Sequence, residues 1–172
     1  MKRFNKGFTL IELLAVVLII GILTAIALPQ YRRSIQRAES MEALVNLRTI
    51  FDSAKRYRSA NSETPTKLNG LDVSFFDATS TTEANFGIGK FEYIFANDGI
   101  SACRLSGSNT YNDTFNDTFC FKMYYNHGTY GKSALTCTPS SNVKYEWICP
   151  AMGATDASGN AVKDSAGGYL IR

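Results

Sequence analysis

The most apolar stretch of the chain is Phe8 to Leu28, 21 residues that contain one charge, Glu12, and two hydroxyls, Thr9 and Thr24. Leu13 to Ile20 is unbroken aliphatic. At 1.5 Å per residue a helix of that length spans roughly 31 Å, enough to cross the hydrocarbon core of a bilayer. The pattern therefore predicts a membrane-anchoring helix over 8–28. Gly21 weakens it, and Pro29, which lacks an N–H and clashes with the preceding turn, predicts a break or kink after it. From residue 30 to 60 the pattern becomes amphipathic: Ile35, Ala38, Met41, Leu44 or Val45, Leu47 or Arg48, Phe51, Ala54 and Tyr57 recur at steps of three and four. That stripe is expected to pack on the protein's own sheet, and Asn61-Ser62 with Pro65 marks the helix end.

Residues 59–90 are polar and irregular, with Thr64-Pro65-Thr66 and Thr79-Ser80-Thr81-Thr82, and read as a long surface connection. Strand signals follow at Phe91–Phe95, Ile100–Leu105 and Phe119–Tyr125, with shorter ones at Ser133–Thr138 and Tyr145–Cys149. Asn97-Asp98-Gly99 between the first two is a hairpin signal. Strands at this spacing predict a small antiparallel meander whose apolar face, Phe119, Phe121 and Met123 by alternation, lies against the helix. The expected fold class is α+β: a long N-terminal helix, half membrane-anchoring and half amphipathic, packed on a small antiparallel sheet.

Composition and charge narrow the function. Of 172 residues 45% are hydrophobic and 19% charged, a globular mixture. The net charge of +3 equals that of Lys2, Arg3 and Lys6 alone, leaving 15 basic and 15 acidic groups in residues 8–172. The chain as a whole therefore lacks the concentrated basic face of a nucleic-acid binder. The stem is locally basic: Arg32, Arg33, Arg37, Arg48, Lys55, Arg56 and Arg58 stand against Glu39, Glu42 and Asp52, while residues 59–172 carry 8 basic and 11 acidic groups. This polarity suits either electrostatic steering between subunits or a plain solvated face, and the stem's exposure decides whether it can meet nucleic acid. The basic cluster before the anchor places the N-terminus in the cytoplasm and everything after Leu28 outside it. A removed secretory signal is the competing reading, since Ala25-Ile26-Ala27 fits a cleavage triplet.

Glu12 weighs against that competitor. An ionisable group inside an apolar helix costs several kcal/mol unless paired and marks a functional position, whereas at the interface its carboxylate simply reaches water. Lys6-Gly7-Phe8-Thr9-Leu10-Ile11-Glu12-Leu13-Leu14 resembles the N-terminal signature of type IV pilins and pseudopilins: a short basic leader, a Gly-Phe junction, and Glu at the fifth position after it. The resemblance covers roughly the first 30 residues, Gly21 and Pro29 included. It implies a pilin fold laid out as leader 1–7, anchor 8–28, stem helix 29–60 and disulfide-bonded head 61–172. It also implies cleavage between Gly7 and Phe8 by a prepilin peptidase, methylation of the Phe8 amine, and a filament in which Glu12 meets the Phe8 ammonium of a neighbour with Thr9 beside them. The implied partners are identical or homologous subunits, the peptidase, an inner-membrane assembly platform driven by an ATPase, and the bilayer before assembly. The expected function is that of a pilus subunit in motility, adhesion or DNA uptake. A pseudopilin of a type II secretion system is the alternative, and an exported soluble protein the more distant one.

Cys103, Cys120, Cys137 and Cys149 all follow the anchor, and an even count in an exported domain reads as two disulfides. Of three connectivities, Cys103–Cys120 and Cys137–Cys149 are preferred because each joins neighbouring elements. Spacings of 17, 17 and 12 lack the short ligand pairs of a zinc site. No cofactor, dedicated small-molecule ligand or catalytic residue is expected. Gly87-Ile88-Gly89-Lys90 is not a phosphate loop, and His127 has no evident nucleophile partner. Asp156, Ser158, Asn160 and Asp164 make only a loose calcium pattern, without the turn glycine and closing Glu. Tyr111–Phe115 and its echo Asn116–Phe119 read as a turn before a strand.

Overall fold

The computed structural model describes residues 7–75, 79–80, 85–105, 119–126, 128, 131–138, 147–153 and 169–171. The chain divides into two compact units, Met1–Ala38 and Glu39–Arg172. One helix, α1 (Leu10–Asn61), contributes to both. A second, α2 (Ile148–Ala151), is a single turn.

In the first unit α1 presents apolar side chains to its surroundings all round, from Leu10 at 85% exposed to Leu28 at 53%. A helix apolar on every side is a solvent-exposed impossibility in water but normal in lipid or among other helices. By length and composition it can cross a membrane. Gly21 and Pro29 both lie inside α1, whose helical assignment runs on past them to Asn61. Pro29 withholds one N–H from the Ala25 carbonyl, a loss that a helix of 52 residues absorbs. The Thr24 hydroxyl donates to the carbonyls of Ile20 (2.8 Å) and Gly21 (3.0 Å), so the apolar helix carries no unsatisfied hydroxyl at that point.

In the second unit a seven-stranded antiparallel sheet runs in strict sequence order: β1 (Thr79–Ser80), β2 (Asn85–Ile88), β3 (Phe91–Ala96), β4 (Gly99–Arg104), β5 (Cys120–Tyr124), β6 (Leu135–Thr138) and β7 (Tyr169–Ile171). Against it α1 buries Ser40, Ala43, Leu44, Leu47, Ile50, Phe51, Ser53 and Ala54, a stripe at steps of three and four. The stripe follows the expected one from Leu44 on, through Leu47, Phe51 and Ala54, and departs from it before that point and in the serines it adds. Ile35, Met41 and Val45 are exposed, and Ser40 and Ser53 are buried.

The core is aromatic. The Phe86 ring stacks on Tyr93 at 5.3 Å, Phe119 meets Phe121 edge-on at 5.4 Å, and Phe51 stacks on Tyr125 at 5.1 Å. The Tyr93 hydroxyl donates to the Ala43 carbonyl at 3.3 Å, fixing sheet to helix. Phe119, Phe121 and Met123 are buried on one face, as alternation requires.

Two elements depart from the sequence pattern. The connection before residue 90 contains β2, which pairs with β3 from Asn85↔Ile94 to Ile88↔Phe91. Gly89, at φ +59°, turns that hairpin, which is the role of the rejected glycine motif. The strand expected at Tyr145–Cys149 is not formed over Trp147–Cys149, where a turn leads into α2. Gly99 owes its place to crowding, not turn geometry: a Cβ there would lie 2.0 Å from the Met123 carbonyl oxygen.

Candidate functional site

The residues singled out at the N-terminus fall into one local constellation. Thr9 precedes the first turn of α1, and Glu12 lies within it. The Glu12 carboxylate oxygen Oε2 accepts from both the Thr9 N–H and the Thr9 hydroxyl, each at 2.8 Å. In return the Glu12 N–H donates to Thr9 Oγ1 at 3.3 Å. This is a reciprocal capping box, Thr-x-x-Glu, that satisfies donors which the helix start leaves open. Glu12 also places negative charge at the positive end of the helix dipole. The spacing was legible in the sequence, but the capping role was not among the readings made from it.

Phe8 is 84% exposed beside this box. Nothing lies within 4 Å of a Cβ built on Gly7, so the chain itself imposes no need for glycine there. In a single chain Glu12 is thus held by Thr9.

The cysteines form two bridges, Cys103–Cys120 and Cys137–Cys149. The first joins directly paired residues of β4 and β5, and the second ties β6 to α2. Among the described residues no group of three His, Cys, Asp or Glu side chains is placed to hold a metal. His127, the acidic run from Asp156 to Asp164 and most of the Tyr111–Phe119 echo lie outside the described residues.

A family model described as the prokaryotic N-terminal methylation motif matches residues 2–28. The type IV major pilin protein PilA of Myxococcus xanthus is 47% identical over 55 residues, 32% of this chain and 25% of that protein. The type IV major alpha-pilin of Moraxella bovis is 31% identical over 155 residues, and the match takes in 69% of this chain and 98% of that pilin. This chain belongs to the type IV pilin family. The pilin spans only a quarter of the length of the Myxococcus relative. It is also similar to the type II secretion system core protein G of Aeromonas hydrophila, 29% identical over 82 residues, 48% of this chain and 57% of that protein. No solved structure matches it.

Two ionic clusters hold the pilin's head around the stem helix, and sequence spacing gave no hint of either. Glu39 accepts from Lys90 at 2.6 Å and from Arg104 at 2.8 Å, reaching the β2–β3 turn and the end of β4. Asp72 takes a two-pronged contact from Arg56, at 2.8 Å on each oxygen, and a short hydrogen bond from the Ser53 hydroxyl. The Arg56 contact, with Ser53 second, holds the Asp72 carboxyl down at about 2. The remaining stem cations Arg32, Arg33, Arg37 and Arg48 are exposed.

Proposed function

We propose that this pilin is a structural subunit of a type IV pilus. Its leader, 1–7, is removed between Gly7 and Phe8 by a prepilin peptidase on the cytoplasmic face of the inner membrane, and the new Phe8 amine is methylated. The anchor, 8–28, holds the subunit as a single-pass protein with its N-terminus in the cytoplasm, the stem 29–60 following and the head 61–172 outside. An ATPase-driven assembly platform then transfers it into a filament of like subunits.

The observation that carries this reading is the methylation motif over residues 2–28, set on a helix whose apolar side chains are exposed all round. The near full-length match to a Moraxella major pilin supports it. Such a surface has two stable surroundings, lipid before assembly and the helices of neighbours after it. Pairing Glu12 with a neighbour's Phe8 ammonium would favour correct axial register, because either charge alone would be stranded in an apolar filament core. Thr9, already bonded to Glu12, orients the carboxylate for that contact. Gly21 to Pro29, where one backbone hydrogen bond is missing, is the segment that would extend on assembly.

Mass spectrometry of the protein from its native cell envelope tests the reading. A chain beginning at methylated Phe8, four hydrogens lighter than the reduced form, is the result that supports it. A chain beginning at Leu28 would mean a released soluble protein and would overturn the filament mechanism. The similarity to core protein G favours a second reading, a pseudopilin confined to the periplasm. Imaging separates the two: surface filaments containing the chain support the pilus, and their absence alongside Phe8 processing supports the secretion apparatus.

A further inference from the structure

At the C-terminal end of α1 a cleft of about 610 Å³ opens between the helix and the β5–β6 hairpin. Its walls include Lys55, Arg58, Ser62, Tyr125, Lys132 and Ser133, three cations and, among the described residues, no acid. Lys55 is shared with Asp52 at 3.3 Å. Arg58, from the helix, and Lys132, from the hairpin, have no acidic partner among the described residues. Arg58 is held in place: its guanidinium lies 4.2 Å from the centre of the Tyr125 ring, whose other neighbour is the Phe51 ring at 5.1 Å. Stacking of this kind presents a guanidinium's N–H fork in a fixed plane.

Tyr125 fixes that arrangement in turn: the residue is 7% exposed and lines the cleft, so the ring beneath Arg58 is itself held by packing.

The end of a helix would ordinarily repel an anion, because its last carbonyls are open. Here the Ser62 N–H donates to one of them, the Arg58 carbonyl, at 2.9 Å, and the cations of the cleft offset the rest. Ser62 and Ser133, both at positive φ, bring their hydroxyl-bearing turns to the two rims.

We propose that this cleft binds a tetrahedral oxyanion of the phosphate class. A carboxylate would be satisfied by the Arg58 fork alone. An anion with three or four acceptor oxygens can engage Arg58 from one wall, Lys132 from the other, and the Ser62 and Ser133 hydroxyls between them. The site is independent of the apolar anchor and does not rest on filament assembly.

The test is calorimetric titration of the full chain in detergent, in phosphate-free buffer at neutral pH, with inorganic phosphate and with glycerol 3-phosphate. Saturable binding to one site is the outcome that supports the proposal, with Lys132→Gln weakening it about 5-fold or more. Lys132 is exposed on a turn, so this variant leaves the fold intact. Arg58→Gln, near the end of α1, should likewise lower phosphate affinity about 5-fold or more. Tighter binding of glycerol 3-phosphate would identify an esterified phosphate as the ligand, and binding of inorganic phosphate alone a free ion. Heats that do not saturate by about 10 mM, or equal affinity in Lys132→Gln, would overturn the proposal.

Discussion

Replacing Glu39 by Gln is the sharpest probe of how the stem is fastened to the head. The substitution keeps the side chain's shape and removes only its charge, leaving Arg104 and Lys90 without the carboxylate that accepts from both. The two contacts differ in exposure. Lys90 is 61% exposed, so its pair belongs to the surface regime, below about 1 kcal/mol. Arg104 is 10% exposed and Glu39 21%, which places their pair between that regime and the roughly 3–5 kcal/mol lost when a fully buried pair is broken. Arg104 retains a further interaction, which limits the loss. The total is about 2–3 kcal/mol, or roughly 10 °C in the melting temperature of the head.

The same residue predicts a pH dependence. Burial alone would raise the Glu39 carboxyl, but hydrogen bonds and charges from Lys90 and Arg104 outweigh it and hold the group below its ordinary 4.5. A depressed carboxyl stabilises fully above its unfolded value and loses that contribution as pH falls through the folded one. Thermal unfolding followed by near-ultraviolet circular dichroism should therefore show a wide gap between wild type and Glu39→Gln at neutral pH. The gap should close as the pH is lowered below 4.5. A double-mutant cycle should give a coupling of about 1–2 kcal/mol to Arg104→Met and less than about 1 to Lys90→Met. An unchanged gap in acid, or coupling to Arg104 no larger than to Lys90, would refute the reasoning.

Other outcomes follow from single observations. Gly99→Ala should lower head stability by about 3 kcal/mol, because its new methyl would meet the Met123 carbonyl and β4 and β5 are also joined by a disulfide. Gly128→Ala, with nothing within 4 Å, serves as the control and should stay within about 0.5 kcal/mol on denaturant unfolding. Thr9→Val keeps the side chain's size but removes the hydroxyl that bridges to Glu12. It should weaken the start of α1 by about 1 kcal/mol, read as roughly 5-fold faster amide exchange over Ile11 to Leu13, and equal exchange rates would dismiss the capping box.

Cysteine pairing had a geometric reason once the strands were known. Phe91–Ala96 and Gly99–Arg104 are consecutive strands with a two-residue turn, so their order, and the pairing of Cys103 opposite Cys120 on the next strand, follow from a simple meander. The strand β2 was hidden because Asn85-Phe86-Gly87-Ile88 is short, contains one glycine and is followed by another, and pairing with β3 is what makes it a strand. Trp147 to Cys149 looked strand-like by its aromatic and β-branched content. The chain turns there into α2, which brings Cys149 to Cys137.

What the sequence determined alone is the local and one-dimensional part: the apolar helix, the Gly7–Phe8 junction, the position of Glu12 and the meander of aromatic strands. These depend on hydrophobic period and nearest neighbours, which a string of residues carries in full. What only the tertiary structure decided is every contact between residues far apart in the chain. It added Ser40 and Ser53 to the buried stripe and left Met41 outside it, joined Glu39 to Arg104 across 65 positions, and set Arg58 and Lys132 in the walls of one cleft. The physical reason is that a charge or a small polar residue has no preferred partner until packing fixes distance and dielectric, whereas an apolar run has one wherever it lies: the nearest place without water.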